Sequence, residues 1–169
     1  MAIISADDYF MKDGKYNFDP RLLSEAHNHC FKTFVSMFDW NYHSGVSEVI
    51  IMRGISGSGK SRYVEQYYAK CCFDMNYKFL KTKVEDPLPV IIDNTNLEAW
   101  EISPYIAYAN MKKVPYTIVE IVVYEQDLAR IADRNQHGVP YAGIQKQYEK
   151  YMKSNLPPFW NVKPISCSF

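Results

Sequence analysis

One run of eight residues constrains this chain more than any other feature: Gly54-Ile55-Ser56-Gly57-Ser58-Gly59-Lys60-Ser61. It fits Gly-x-x-x-x-Gly-Lys-Ser, a pattern whose meaning depends on a strand before it and a helix after it. Glu48 to Arg53 is a short apolar run that reads as a buried strand, and Val64, Tyr67, Tyr68 and Cys71 then fall on one helical face. A strand that turns through glycines into a helix aims successive backbone N–H groups at one point. The helix N-terminus adds partial positive charge there. Phosphate oxygens suit that point. The expected contacts are Gly54, Ser56, Gly57, Ser58, Gly59, Lys60 and Ser61, with Lys60 reaching the β- and γ-phosphates of ATP and the Ser61 hydroxyl on Mg²⁺. Such a loop implies nucleotide binding but names no reaction.

The rest of the chain supplies the frame. Ala2 to Ser5 and Pro89 to Asp93 read as further buried strands, and Pro115 to Tyr124 as a fourth. Asp19-Pro20 is a cap followed by a first-turn proline. Leu23, Ala26, Cys30, Phe34 and Phe38 then recur at helical spacing, which predicts an amphipathic helix over 20–39. Thr95 and Glu98 have capping-box spacing, and Ser103-Pro104 suggests that the region up to Lys113 is two helical pieces. Helices also fit 126–136 and 140–153. Residues 41–47 read as a loop, 73–87 are ambiguous, and 154–169, with three prolines, read as an irregular tail. Strands alternating with helices predict an α/β layered fold with a mainly parallel sheet.

Three polar clusters stand out. Asp7-Asp8 follows the first strand, and Asp93-Asn94-Thr95-Asn96 follows the third. In an open parallel sheet those strand ends face the ligand crevice. Carboxylates there can accept a proton or hold a metal ion, although acidic turns and helix caps account for the same residues. Arg130 and Arg134 lie four apart on a helix. That spacing repels unless an anion, or Asp127 and Asp133, neutralises it. His137 reads as a structural bridge.

Composition narrows the classes. Lys plus Arg total 19 and Asp plus Glu total 19, which excludes a generally basic nucleic-acid coater and leaves a local patch. No apolar run approaches a membrane span, and no signal peptide is evident. Four cysteines without Cys-x-x-Cys spacing suit reduced thiols in an intracellular protein, cytoplasmic or nuclear.

Together, Ser-x-Asp-Asp-Tyr-Phe, Phe-Asp-Pro with Leu-x-x-Ala-His, the glycine-rich loop, Ile-Ile-Asp-Asn-Thr-Asn-Leu-x-x-Trp and Arg-Asn-x-His-Gly-Val-Pro resemble P-loop kinases of the polynucleotide kinase type. Zeta-toxin-like phosphotransferases are more distantly similar. The resemblance implies a three-layer P-loop NTPase fold with strand order 2-3-1-4-5 and a helical lid, over residues 1–153. It implies ATP-dependent phosphoryl transfer, most readily to a nucleic-acid 5′-hydroxyl. A small-molecule acceptor and a nucleotide-binding module without turnover are the alternatives. By resemblance Asp7 is the general base, Lys60 and Ser61 serve ATP and Mg²⁺, and Arg134 is a lid arginine with Arg130 a weaker second. Asp8, Asp93, Asn94 and Asn96 lie on the substrate side, and Asp93 also serves the metal. Phe10 stands where phage-type members place an Arg.

The blocks are out of the family's order. Asp-Asp-Tyr-Phe and its helix precede the glycine-rich loop here instead of following it. Exchanging these segments keeps each crossover's direction, so the core stays accessible. The strand at 2–5 is then expected parallel to that at 48–53, with the strand at 89–93 between them. Pairing of residues 1–40 with a second chain, as a segment-swapped dimer, is the alternative.

Overall fold

The structure, a computed structural model, describes residues 2–13, 15–40, 45–68, 87–136 and 138–167. Cys71, Cys72 and His137, and nearly all of the ambiguous 73–87 stretch, lie outside the described residues. Five strands make one sheet: β1 (Ala2–Ile4), β4 (Val46–Arg53), β5 (Leu88–Ile92), β6 (Tyr116–Val122) and β7 (Val162–Ser166). Every neighbouring pair in it is parallel. A two-stranded antiparallel ribbon, β2 (Met11–Lys12) with β3 (Lys15–Tyr16), stands apart.

The order across the sheet is β1-β5-β4-β6-β7. Counted along the chain, its strands run 1-3-2-4-5, not the expected 2-3-1-4-5. The strand at 88–92 does lie between those at 2–4 and 46–53, parallel to both. The connectivity differs because the segment bearing β1 comes before the loop-bearing strand. The assignment to the P-loop kinase fold, which rested on the family's connectivity, is corrected accordingly: this is a three-layer α/β fold with a parallel sheet of order 1-3-2-4-5.

Helices cover both faces. α2 (Leu23–Trp40), entered through a single 3₁₀ turn whose cap Asp19 accepts the Arg21 N–H, buries Ala26, Cys30 and Phe34 at four-residue spacing. It packs with α4 (Ala99–Met111) over Val49, Ile51, Val90, Ile92 and Ile118. On the opposite face α3 (Lys60–Tyr68) sets Tyr63 and Val64 against Ile50, Met52, Ile91, Val119 and Ile121. Val49 to Met52 are all buried, as a strand covered on both faces requires. α5 (Leu128–Asp133) and α6 (Tyr141–Lys153) close the carboxyl end of the sheet around Ile55, Leu97 and Val123.

Three local readings change. α4 is one helix, started by a Glu98–Glu101 capping box and containing Pro104 in its interior. The Ser103 hydroxyl donates to the Trp100 carbonyl at 3.4 Å, replacing the N–H that Pro104 lacks. Val162–Ser166, expected in an irregular tail, is an edge strand with Pro164 inside it. An edge strand tolerates proline because one row of its N–H groups has no ladder partner. Finally, Ala6–Phe10 forms a short helix, α1, capped by the Ser5 hydroxyl.

Candidate phosphate-binding site

The site grows from the carboxyl ends of β1, β4 and β5, which lie side by side. The segment after β4 is the glycine-rich loop. Gly54, Gly57 and Gly59 have φ of +147°, +77° and +99°. Such angles are costly for any residue with a Cβ. At Gly57 a Cβ would also meet the Ile131 carbonyl oxygen at 2.7 Å. The loop is therefore pressed against α5 through bare backbone.

Lys60 opens α3 and is buried. Its ammonium donates to the Gly54 and Ile55 carbonyls at 3.0 and 3.1 Å. Burial pushes its pKa down, opposed by the carboxylates of Asp93 and Asp7. That opposition puts both acids within electrostatic reach of Lys60, on one side of the sheet. Ser61 donates to Asp93 Oδ2 at 2.7 Å. Asp7 accepts from the Tyr16 hydroxyl at 2.9 Å, a contact made by the β2–β3 ribbon. Beside it, burial pushes the Asp8 carboxyl above its ordinary range, and Asp7 and Asp93 add to that rise.

The other expected residues divide. Asn94 is structural: its Oδ1 accepts the Ala6 N–H at 2.7 Å and so holds the start of α1. Asn96, fully buried at φ +46°, donates to the Met52 carbonyl at 2.7 Å. Arg134 lies on the loop, donating to the Gly57 carbonyl at 2.8 Å and to Cys167 Sγ at 3.1 Å. The Arg130 side chain is more exposed, with Asp127 at 4.0 Å, and it acts electrostatically on the Cys167 thiol. Ser58 Oγ is buried without a hydrogen-bond partner among the described residues.

Sequence reading missed three contributors. Gln147 on α6 accepts the Ser56 N–H at 2.7 Å. Cys167 donates its thiol to the Ser58 carbonyl at 3.0 Å. Arg53, buried at the end of β4, pairs with Glu120, donates to the Leu97 carbonyl at 3.1 Å and stacks on Tyr151. Each contact joins residues more than 40 positions apart, so spacing carried no trace of it.

The fold is an open α/β layer structure with the glycine-rich loop at the carboxyl end of a central strand of its parallel sheet. No protein-family model matches the chain. It is 30% identical over 156 residues, 90% of its length, to human NEDD4-binding protein 2, and spans 6% of that protein. These findings correct the activity carried over by resemblance. ATP-dependent phosphoryl transfer, and the kinase class with it, came with a connectivity that this chain does not have. The described residues also hold no group of three or more His, Cys, Asp or Glu placed to bind a metal ion. ATP and Mg²⁺, carried over with the same connectivity, are corrected along with it. No helix among the described residues is long and apolar enough to cross a membrane.

Proposed function

We propose that this chain binds the phosphate group of a phosphorylated ligand at the Gly54–Ser61 loop, and that the ligand is a nucleic-acid 5′-end. The supporting observation is the Lys60 ammonium, buried beneath the loop with two neutral carbonyls as its hydrogen-bond acceptors. Asp93 and Asp7 offset only part of the cost of burying that cation, since its pKa is still pushed down. A phosphate at the loop mouth would supply the missing charge, and the loop N–H groups and the start of α3 would share it. In this reading Arg134 adds a second cation from α5. Free thiols at Cys30 and Cys167 fit an intracellular setting.

The test is calorimetric titration with pyrophosphate and with one oligonucleotide carrying either a 5′-phosphate or a 5′-hydroxyl. The 5′-phosphate should tighten binding by roughly tenfold or more, the value of a charge-assisted contact. Lys60→Ala should abolish that increment. Equal affinity for the two ends, together with no pyrophosphate binding, would overturn the assignment.

A further inference from the structure

α6 has two working sides. Gln147 reaches the loop, while Lys146, Lys150 and Lys153, spaced i, i+4 and i+7, form a stripe facing the start of α4. Between that stripe and α4 lies a recess of about 690 Å³. Trp100 stands in its wall, 61% exposed, a large apolar surface left in water. The indole is held in place. Its Nε1–H donates to Glu98 Oε2 at 2.8 Å, Lys150 Nζ lies 6.0 Å from the ring centroid, and the His27 ring lies 6.1 Å away at 42°. Lys150 is itself fixed by Glu98 at 2.7 Å and Glu101 at 3.7 Å. Lys146 and Lys153 are exposed and make no ion pair among the described residues, although Glu149 between them offsets part of their charge.

We infer that this recess is a site for single-stranded nucleic acid, with one base stacked on Trp100 and the flanking phosphates on Lys146 and Lys153. A rigid, exposed aromatic face beside separate cations is the arrangement that reads a strand without reading its sequence. The balanced total charge calls for such a local patch rather than a basic surface. The inference rests on the reading above that the partner is a nucleic acid. It adds where the strand runs, from the loop along α6.

The experiment uses fluorescence anisotropy with a 12-nucleotide DNA and its RNA counterpart, both 5′-hydroxyl, so that the phosphate loop is not engaged. Trp100→Ala should weaken binding by about tenfold, and Trp100→Phe should retain most of it. Lys146→Glu with Lys153→Glu should weaken binding and flatten its salt dependence. Lys60→Ala should leave it unchanged. Wild-type affinity in Trp100→Ala would overturn the inference, as would equal competition by duplex DNA or by polyglutamate. Pyrophosphate binding without any oligonucleotide binding would overturn this site and leave the loop assignment standing. Trp100-dependent binding without pyrophosphate binding would do the reverse.

Discussion

Replacing Gly57 with alanine tests how the loop is held. Two costs add. At φ +77° a residue with a Cβ occupies the left-handed region, which costs about 1–2 kcal/mol. The new Cβ would then stand 2.7 Å from the Ile131 carbonyl oxygen and 3.1 Å from Ile131 Cγ2. Backbone cannot step aside as a flexible side chain can, so either α5 or the loop must shift. Overpacking of that kind costs about 1–3 kcal/mol. The expected total is about 2–5 kcal/mol. Gly138→Ala is the matched control, because its φ is +64° and nothing among the described atoms lies within 4 Å of an added Cβ. It should lose only the backbone share, about 1–2 kcal/mol. Urea unfolding at constant m-value reads both variants. Pyrophosphate affinity should fall with Gly57→Ala and hold with Gly138→Ala. Equal destabilisation by the two substitutions would refute the claim that the loop is seated against α5 through Gly57.

Three further outcomes follow from charged groups. Burial lowers the Lys60 pKa below its unfolded value near 10.5, so the unfolded chain binds more protons between the two values and stability rises with pH through that window. Urea melts of wild type and Lys60→Met from pH 7.5 to 10 should therefore show the wild type gaining on the variant. Asp8 has the opposite sign: its folded pKa is raised above 3.8, so its favourable contribution is complete below that value and lost as pH rises through the folded one. Asp8→Asn should be more stable than wild type at pH 7, and the gain should vanish near pH 3.5. Arg53→Met leaves Glu120 without its partner and should cost about 3–5 kcal/mol, while Arg53→Met with Glu120→Met should recover most of it by the same melts.

The parts of this fold legible in the sequence are those carried by period or by fixed spacing. The glycine loop between β4 and α3, the four-residue stripe of Ala26, Cys30 and Phe34, and the all-apolar runs of the central strands each follow from local geometry. β7 was hidden because Pro164 and two neighbouring prolines look like loop, and only its edge position makes Pro164 harmless. Pro104 looked like a helix start because its remedy, the Ser103 hydroxyl on the Trp100 carbonyl, is a side-chain contact. Asp7, Lys60 and Asp93 were legible as a cluster because all follow strand ends. What Asp7 touches was not, since Tyr16 reaches it through a ribbon of two-residue strands too short to leave an alternating pattern. Arg130 and Arg134 looked equivalent by spacing. Their contacts differ because α5 ends at Asp133: Arg134 donates to the Gly57 carbonyl, while Arg130, inside the helix, is more exposed and lies 4.0 Å from Asp127.

The sheet order 1-3-2-4-5 finds its physical account in the placement of the helices. From β1 the chain moves two positions across the sheet to β4, and α2 lies on one face. From β4 it steps back one position to β5, and α3 lies on the opposite face. From β5 it moves forward two positions to β6, and α4 returns to the face of α2. In these three crossovers the forward moves thus use one face and the backward move uses the other. In a parallel sheet that is the condition for every crossover to have the same hand, and chains hold to one hand almost without exception. β1 and α2 precede the glycine-rich loop in the chain, and the crossover that they make has the same hand as the two that follow it. The carboxyl ends of β1, β5 and β4 lie side by side, and this brings Asp7 and Asp93 within electrostatic reach of Lys60 although 53 positions separate Asp7 from Lys60.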